Sequence, residues 1–175
     1  MSQREEMTKN AAPDKSSLFL FSFLLGANGH GKILDAEAIS RWTPEDGPMW
    51  LHLDVTDENA CQWIEQQDAL PATVRDTLLA GDTRPRTLFT QQGLLIVLRG
   101  VNTNPGEDPE DMVSVRLWIE PHRIISTRRR RLLSVVDIAK SLDTGDGPVN
   151  PSALLASLVD RLADRIGDFV DSIEA

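Results

Sequence analysis

Gly26-Ala-Asn-Gly-His-Gly31-Lys32 has the spacing of a phosphate-binding loop, G-x-x-x-x-G-K. In such a loop the backbone N–H groups and the lysine hold phosphate oxygens, and a following Ser or Thr ligates magnesium. Here Ile33 follows Lys32, and no helical pattern starts at the lysine. The segment is therefore expected to be a glycine-rich hairpin turn, and nucleotide binding through Gly26–Lys32 is kept as the alternative function. Arg128–Arg131 is a run of four arginines that could meet phosphate or RNA. No aromatic residue is interleaved to stack bases, and the net charge is −9. Arginines pairing with nearby carboxylates at a solvated junction is the expected arrangement, with an RNA or acidic-partner module as a third reading.

Metal and acid–base chemistry find less support. His52 and Asp54 share one face of an alternating segment, and Cys61 lies near in sequence. A zinc site needs three or four convergent ligands, and His30 and His122 sit in other segments without ligand spacing. Glu107, Asp108, Glu110 and Asp111 lack the spacing of a calcium loop and read as a solvated hairpin. With three histidines, no tyrosine and no nucleophile elbow or CxxC pair, general acid–base chemistry has few candidates. No catalytic, cofactor-binding or metal-ligating residue is assigned, no cofactor is expected for folding, and the chain is not expected to be an enzyme. One carboxylate stripe remains. Asp160, Asp164, Asp168 and Asp171 lie on one side of a helical pattern, where they could attract cations. Arg161 and Arg165 dilute that charge, as on an ordinary solvated face.

These residues must be held by ordinary globular elements. The chain has 175 residues, 41% hydrophobic and 26% charged, which suits one domain with an appendage. Eighteen bases against 27 acids disfavour nucleic acid or anionic lipid as partners. One cysteine excludes an intrachain disulfide and fits a reducing compartment. The longest apolar run, Leu18–Leu25, is too short to span a bilayer. A soluble piece is expected, with residues 1–17 as a disordered lead-in, 18–150 as the main domain and 151–175 as a long terminal helix.

Leu18–Leu25 reads as a strand covered on both faces. Asp35 can cap a short helix ending near Trp42. In Met49–Val55, Leu51, Leu53 and Val55 alternate with Trp50, His52 and Asp54. Helices are expected over Asp57–Gln67 and Pro71–Ala80, the second stopped by Gly81. Four strands follow: Arg86–Gln92, Gly93–Val101, Asp111–Glu120 and Arg123–Thr127. Leu94–Leu98 has no polar face, which places it centrally in a sheet. Leu132–Leu142 is helical, and Thr144–Pro151 is a break. From Pro151 to Ala175, Leu155, Val159, Leu162, Ile166, Phe169 and Ile173 are spaced 4, 3, 4, 3, 4. That is an a/d seam, the pattern of a helix packed lengthwise on another helix. After Ile173 no glycine, asparagine or proline stops it before Ala175. The expectation is a fragment whose seam packs on a helix absent from this sequence or supplied by another subunit.

Several segments resemble, in order and spacing, the ZntB-type zinc-transporter branch of the CorA metal-ion transporter family. They are Trp50–Asp54 with Trp63; Leu70-Pro71, Val74–Asp76 and Gly81–Arg86; Leu94–Asn102; Asp111–Ile119; and Arg123–Arg130. The resemblance covers about Phe19 to Ala175. It implies an α/β class domain, an α/β/α sandwich with a mixed central sheet of about six to seven strands. It implies that the terminal helix opens a long helical hairpin, followed by a pore-lining stalk and two membrane helices. It further implies a homopentamer that moves zinc, a divalent cation, across the bacterial inner membrane, with this domain on the cytoplasmic face in a regulatory and assembly role. The family's Gly-Met-Asn-type pore loop has no counterpart here, so no conduction residue is carried over. With the pore lined by the later stalk, Asp160 to Asp171 would act on cations only through long-range potential, which salt limits to about 8 Å.

Overall fold

The computed structural model describes residues 17–81 and 84–175; the lead-in expected at 1–17 lies, but for Ser17, outside them. Among the described residues, seven strands form one mixed sheet: β1 Phe21–Leu25, β2 Gly31–Ile33, β3 Met49–Asp54, β4 Arg86–Phe89, β5 Leu94–Gly100, β6 Val113–Ile119 and β7 Arg123–Arg128. Their order is β2-β1-β3-β7-β6-β5-β4. Only β3 and β7 pair in parallel, with Leu51 opposite Ile125; every other pair is antiparallel. The parallel pair sits at the centre, where both faces are covered. Its sequences MWLHLD and RIISTR are accordingly buried on consecutive residues.

Helices α1 Ala36–Arg41, α2 Glu58–Glu65 and α3 Ala72–Leu79 cover one face, and α4 Leu133–Thr144 and α5 Pro151–Glu174 cover the other. Alternation along each strand divides the core in two. Leu51, Leu53, Trp118 and Ile125 pack with Ile64, Val74 and Leu78 of α2 and α3. Trp50, Val115, Leu117 and Ile124 pack with Ile138, Leu142, Leu154 and Leu158 of α4 and α5. This is the expected α/β/α sandwich. The helix starts follow their caps: Asp35 Oδ1 accepts from Ala38 N at 2.8 Å, and Asp57 Oδ1 from Asn59 N at 2.9 Å.

Two expectations need correction. Leu94–Leu98 is not central: β5 is next to the edge strand β4. Leu95 and Val97 are buried, but Leu94, Ile96 and Leu98 are only half-buried. An apolar run reports that both faces are apolar, not how many strands lie on either side. The end of α3 is also not set by Gly81. The helix closes at Leu79, with Ala80 already extended at ψ 139°. Its last carbonyls are taken from outside, Leu78 O by Thr127 Oγ1 at 2.7 Å and Leu79 O by Arg129 Nη2 at 3.1 Å.

Gly100 closes the sheet against the helical layer. A Cβ there would stand 2.6 Å from Leu162 Cδ2 and 2.9 Å from Leu132 Cδ1. Gly100→Ala is expected to cost about 1–3 kcal/mol of unfolding free energy by overpacking, readable as a lower urea midpoint. An unchanged midpoint would mean that the Leu162 and Leu132 side chains yield to the added methyl.

Candidate functional site: the last helix and its root

Asn150 and Pro151 start α5. Asn150 Oδ1 accepts from Ala153 N at 2.8 Å, and proline at the first helical position loses no needed N–H. The helix has 24 residues, about 36 Å at 1.5 Å per residue. Pro151, Leu154, Leu158 and Leu162 are its buried residues, and all lie before its midpoint or near it. Just beyond them Arg165 pairs with Asp137 of α4. Past that ion pair no residue of α5 is buried.

The expected seam therefore divides. Leu162 finds its partner within the chain, beside Gly100, which corrects the expectation that the whole seam packs elsewhere. Leu155 is half-buried against the same core, and Phe169 is half-buried. Val159, Ile166 and Ile173 are 42%, 39% and 66% exposed, and Val170, between the last two, is 44% exposed. Leu154 and Leu158, which anchor the helix, were not in the seam. The sequence has apolar doublets, Leu154-Leu155 and Leu158-Val159, and a strict a/d pattern selects one member of each. The stripe Pro151, Leu154, Leu158, Leu162, spaced 3, 4, 4, was the available signal. Helix α5 thus carries two apolar stripes, one seated on the sheet and one open. Asp160, Asp164, Asp168 and Asp171 are all exposed. Among the described residues, no group of three or more His, Cys, Asp and Glu could hold a metal ion.

The other sequence candidates resolve into structural roles. Gly26 N donates to His30 O at 2.8 Å and Gly29 N to Gly26 O at 3.0 Å, closing a turn between antiparallel β1 and β2. Lys32 lies in β2, opposite Leu24, so no helix starts at the lysine. Of the four arginines, Arg128 lies 3.6 Å from Asp54 and Arg130 lies 3.4 Å from Glu107, while Arg129 caps α3. Glu107 also accepts from Asn102 Nδ2 at 2.6 Å, and that bond, with Arg130, lowers its carboxyl below the usual range. Cys61 Sγ donates to Val55 O at 3.2 Å, and burial pushes its thiol up, away from thiolate chemistry.

His52 is 1% exposed. Its Nδ1 lies 2.8 Å from Ser126 Oγ, which also accepts from Trp50 Nε1 at 2.9 Å. Burial, helped by the Arg128 charge, lowers its pKa to about 3. It is a neutral core histidine bridging the central parallel strands. Among the described residues, no helix is long and apolar enough to cross a membrane.

The sequence model of the family described as "CorA-like Mg2+ transporter protein" matches residues 45–175. "Zinc transport protein ZntB" of Cronobacter sakazakii is 34% identical over 154 residues, covering 88% of this chain and 46% of the relative. The chain spans about half the length of the curated relatives it matches. Among solved structures, the full-length CmaX protein superposes with a TM-score of 0.84 at 34% identity, over 89% of this chain and 48% of that one. The ZntB cytoplasmic domain from Vibrio parahaemolyticus gives 0.78 at 24% identity, over 90% of this chain and 63% of that one, a likeness of fold.

Proposed function

The chain belongs to the CorA-like Mg2+ transporter family, and from that premise we propose that it is the extramembrane domain of a longer zinc transporter. Its work is regulatory and architectural, with no bond chemistry and no cofactor of its own. The sheet is a rigid platform, and α5 carries the platform's position to stalk and membrane helices that follow it. By this reading the domain lies on the cytoplasmic face of the bacterial inner membrane, the whole protein is a homopentamer, and zinc is cargo rather than a resident metal. Asp160, Asp164, Asp168 and Asp171 raise the local cation concentration without ligating it, and nucleic acid is not a partner.

One observation supports this reading above the others. Helix α5 is seated on the sheet as far as Leu162, and then runs on with Ile166, Val170 and Ile173 open to solvent. A helix that served only the sandwich would gain nothing from those side chains, each worth about 1.5–3 kcal/mol when fully buried. The relatives, about twice as long and named zinc transport proteins, support a longer protein. The test is flux. The longer protein, reconstituted in vesicles holding a zinc-sensitive dye, is expected to raise the zinc signal well above that of protein-free vesicles. Equal signals would refute the transport reading.

A further inference from the structure

The Gly26–Lys32 turn has a partner within the protein. It lies against the connector between α4 and α5. Gly147 N donates to Gly29 O at 2.9 Å. Gly29 has φ +81°, and a Cβ there would stand 2.3 Å from Gly145 O. Gly145, the left-handed cap of α4, has φ +84°, and a Cβ there would stand 2.5 Å from His30 Nε2. Neither position takes another residue without strain: both have a backbone angle that favours glycine, and at Gly29 backbone atoms of Gly145 and Gly147 also fill the space a Cβ would need. Inside the turn, Asn28 Oδ1 accepts from His30 N at 3.1 Å, holding the histidine's backbone in place. Three residues after Gly147, Asn150 caps α5.

We propose that Gly29 and His30, clasped on Gly145 and Gly147, are positioning residues for α5: they fix the root from which the helix leaves the domain. The consequence for coupling rests on the reading of α5 given above, but the clasp itself does not. Geometry makes the root important. For a lever of about 36 Å, a rotation of about 5° at the root moves the far end by about 3 Å. That is about twice the 1.5 Å rise of one helical residue. Leu154, Leu158 and Leu162 hold the helix down on the sheet, and the clasp fixes where along the sheet it begins. Gly29, at a variable position of the segment with phosphate-loop spacing, thus serves close approach of one backbone to another.

Amide hydrogen exchange on the 175-residue chain tests this. Gly106→Ala is the control. Gly106 also has a positive φ, +79°, but nothing lies within 4 Å of its missing Cβ. Gly29→Ala should speed exchange at Gly147 and over residues 151–158 by roughly tenfold beyond the control, with Leu51 and Ile125 of the central strands changed no more than in the control. His30→Ala, which adds no backbone strain, should give the same pattern at smaller amplitude, and it decides alone if Gly29→Ala does not fold. Exchange over 151–158 no faster than in the control, or an increase spread equally to Leu51 and Ile125, would overturn the clasp. Zinc flux by the longer protein carrying His30→Ala separates the two readings. Faster exchange with unchanged flux supports the clasp and overturns coupling through α5. Unchanged exchange overturns the clasp and leaves the coupling reading standing.

Discussion

With Ile166 and Ile173 both changed to Asp, the longer protein should lose its oligomer and its zinc flux, while the 175-residue chain keeps its urea midpoint. The two halves of this result come from the two stripes of α5. Ile166 and Ile173 lie on the open stripe, so in the isolated chain the new carboxylates stay in water and cost little. In the assembled protein the same positions would be buried against other helices. Two apolar side chains would then give up about 3–6 kcal/mol of burial per subunit, and an unpaired buried carboxylate adds to the loss. The reciprocal change behaves oppositely. Leu158→Ala, on the seated stripe, should cost about 2–5 kcal/mol in the isolated chain. Measurement needs urea unfolding of the chain beside light scattering and vesicle flux of the longer protein. If the double Asp variant assembles and transports normally, the open stripe has no partner.

The second large effect is on acid stability. In the folded state His52 has a pKa of about 3, against an ordinary value of 6.5. Its folded pKa is depressed, so its neutral form favours folding above the unfolded value. That contribution is present in full above about pH 6.5 and is lost as pH falls toward 3, because the unfolded chain takes up the proton first. The whole span corresponds to roughly 5 kcal/mol, and about half of it should be gone near pH 4.5. His52→Gln can keep a hydrogen bond to Ser126 and cannot titrate. Between about pH 7 and 4.5 the natural chain should therefore lose about 2–3 kcal/mol more stability than the glutamine variant. Parallel stability curves for the two proteins would show that His52 is not held neutral.

Much of the architecture was legible because alternation and capping are local. Leu51, Leu53 and Val55 against Trp50 and His52 separate the two cores correctly, since side-chain direction in a strand depends only on parity. Asp35 and Asp57 mark helix starts through bonds to residues three and two positions away. What was not legible depends on distant chain. The place of β5 beside an edge strand follows from where β4 pairs, and the end of α3 follows from Arg129, fifty residues on. On α5, the doublets Leu154-Leu155 and Leu158-Val159 fit two stripes equally well. Only the position of the sheet decides which member is seated. The spacing at Gly26–Lys32 was equally mute, since the glycine that meets Gly145 is Gly29, a position the phosphate-loop pattern leaves unspecified.

The most direct test of the central claim is the accessibility of α5's open stripe. With Cys61→Ser as background and Ile173→Cys as the single thiol, a maleimide reagent reports how freely water reaches that face. In the 175-residue chain the thiol should react at close to the rate of a free cysteine. In the longer protein it should react at least roughly tenfold more slowly, as helices cover it and opening becomes rate-limiting. Equal rates in the two proteins would contradict the claim that α5 couples this domain to the rest of a transporter.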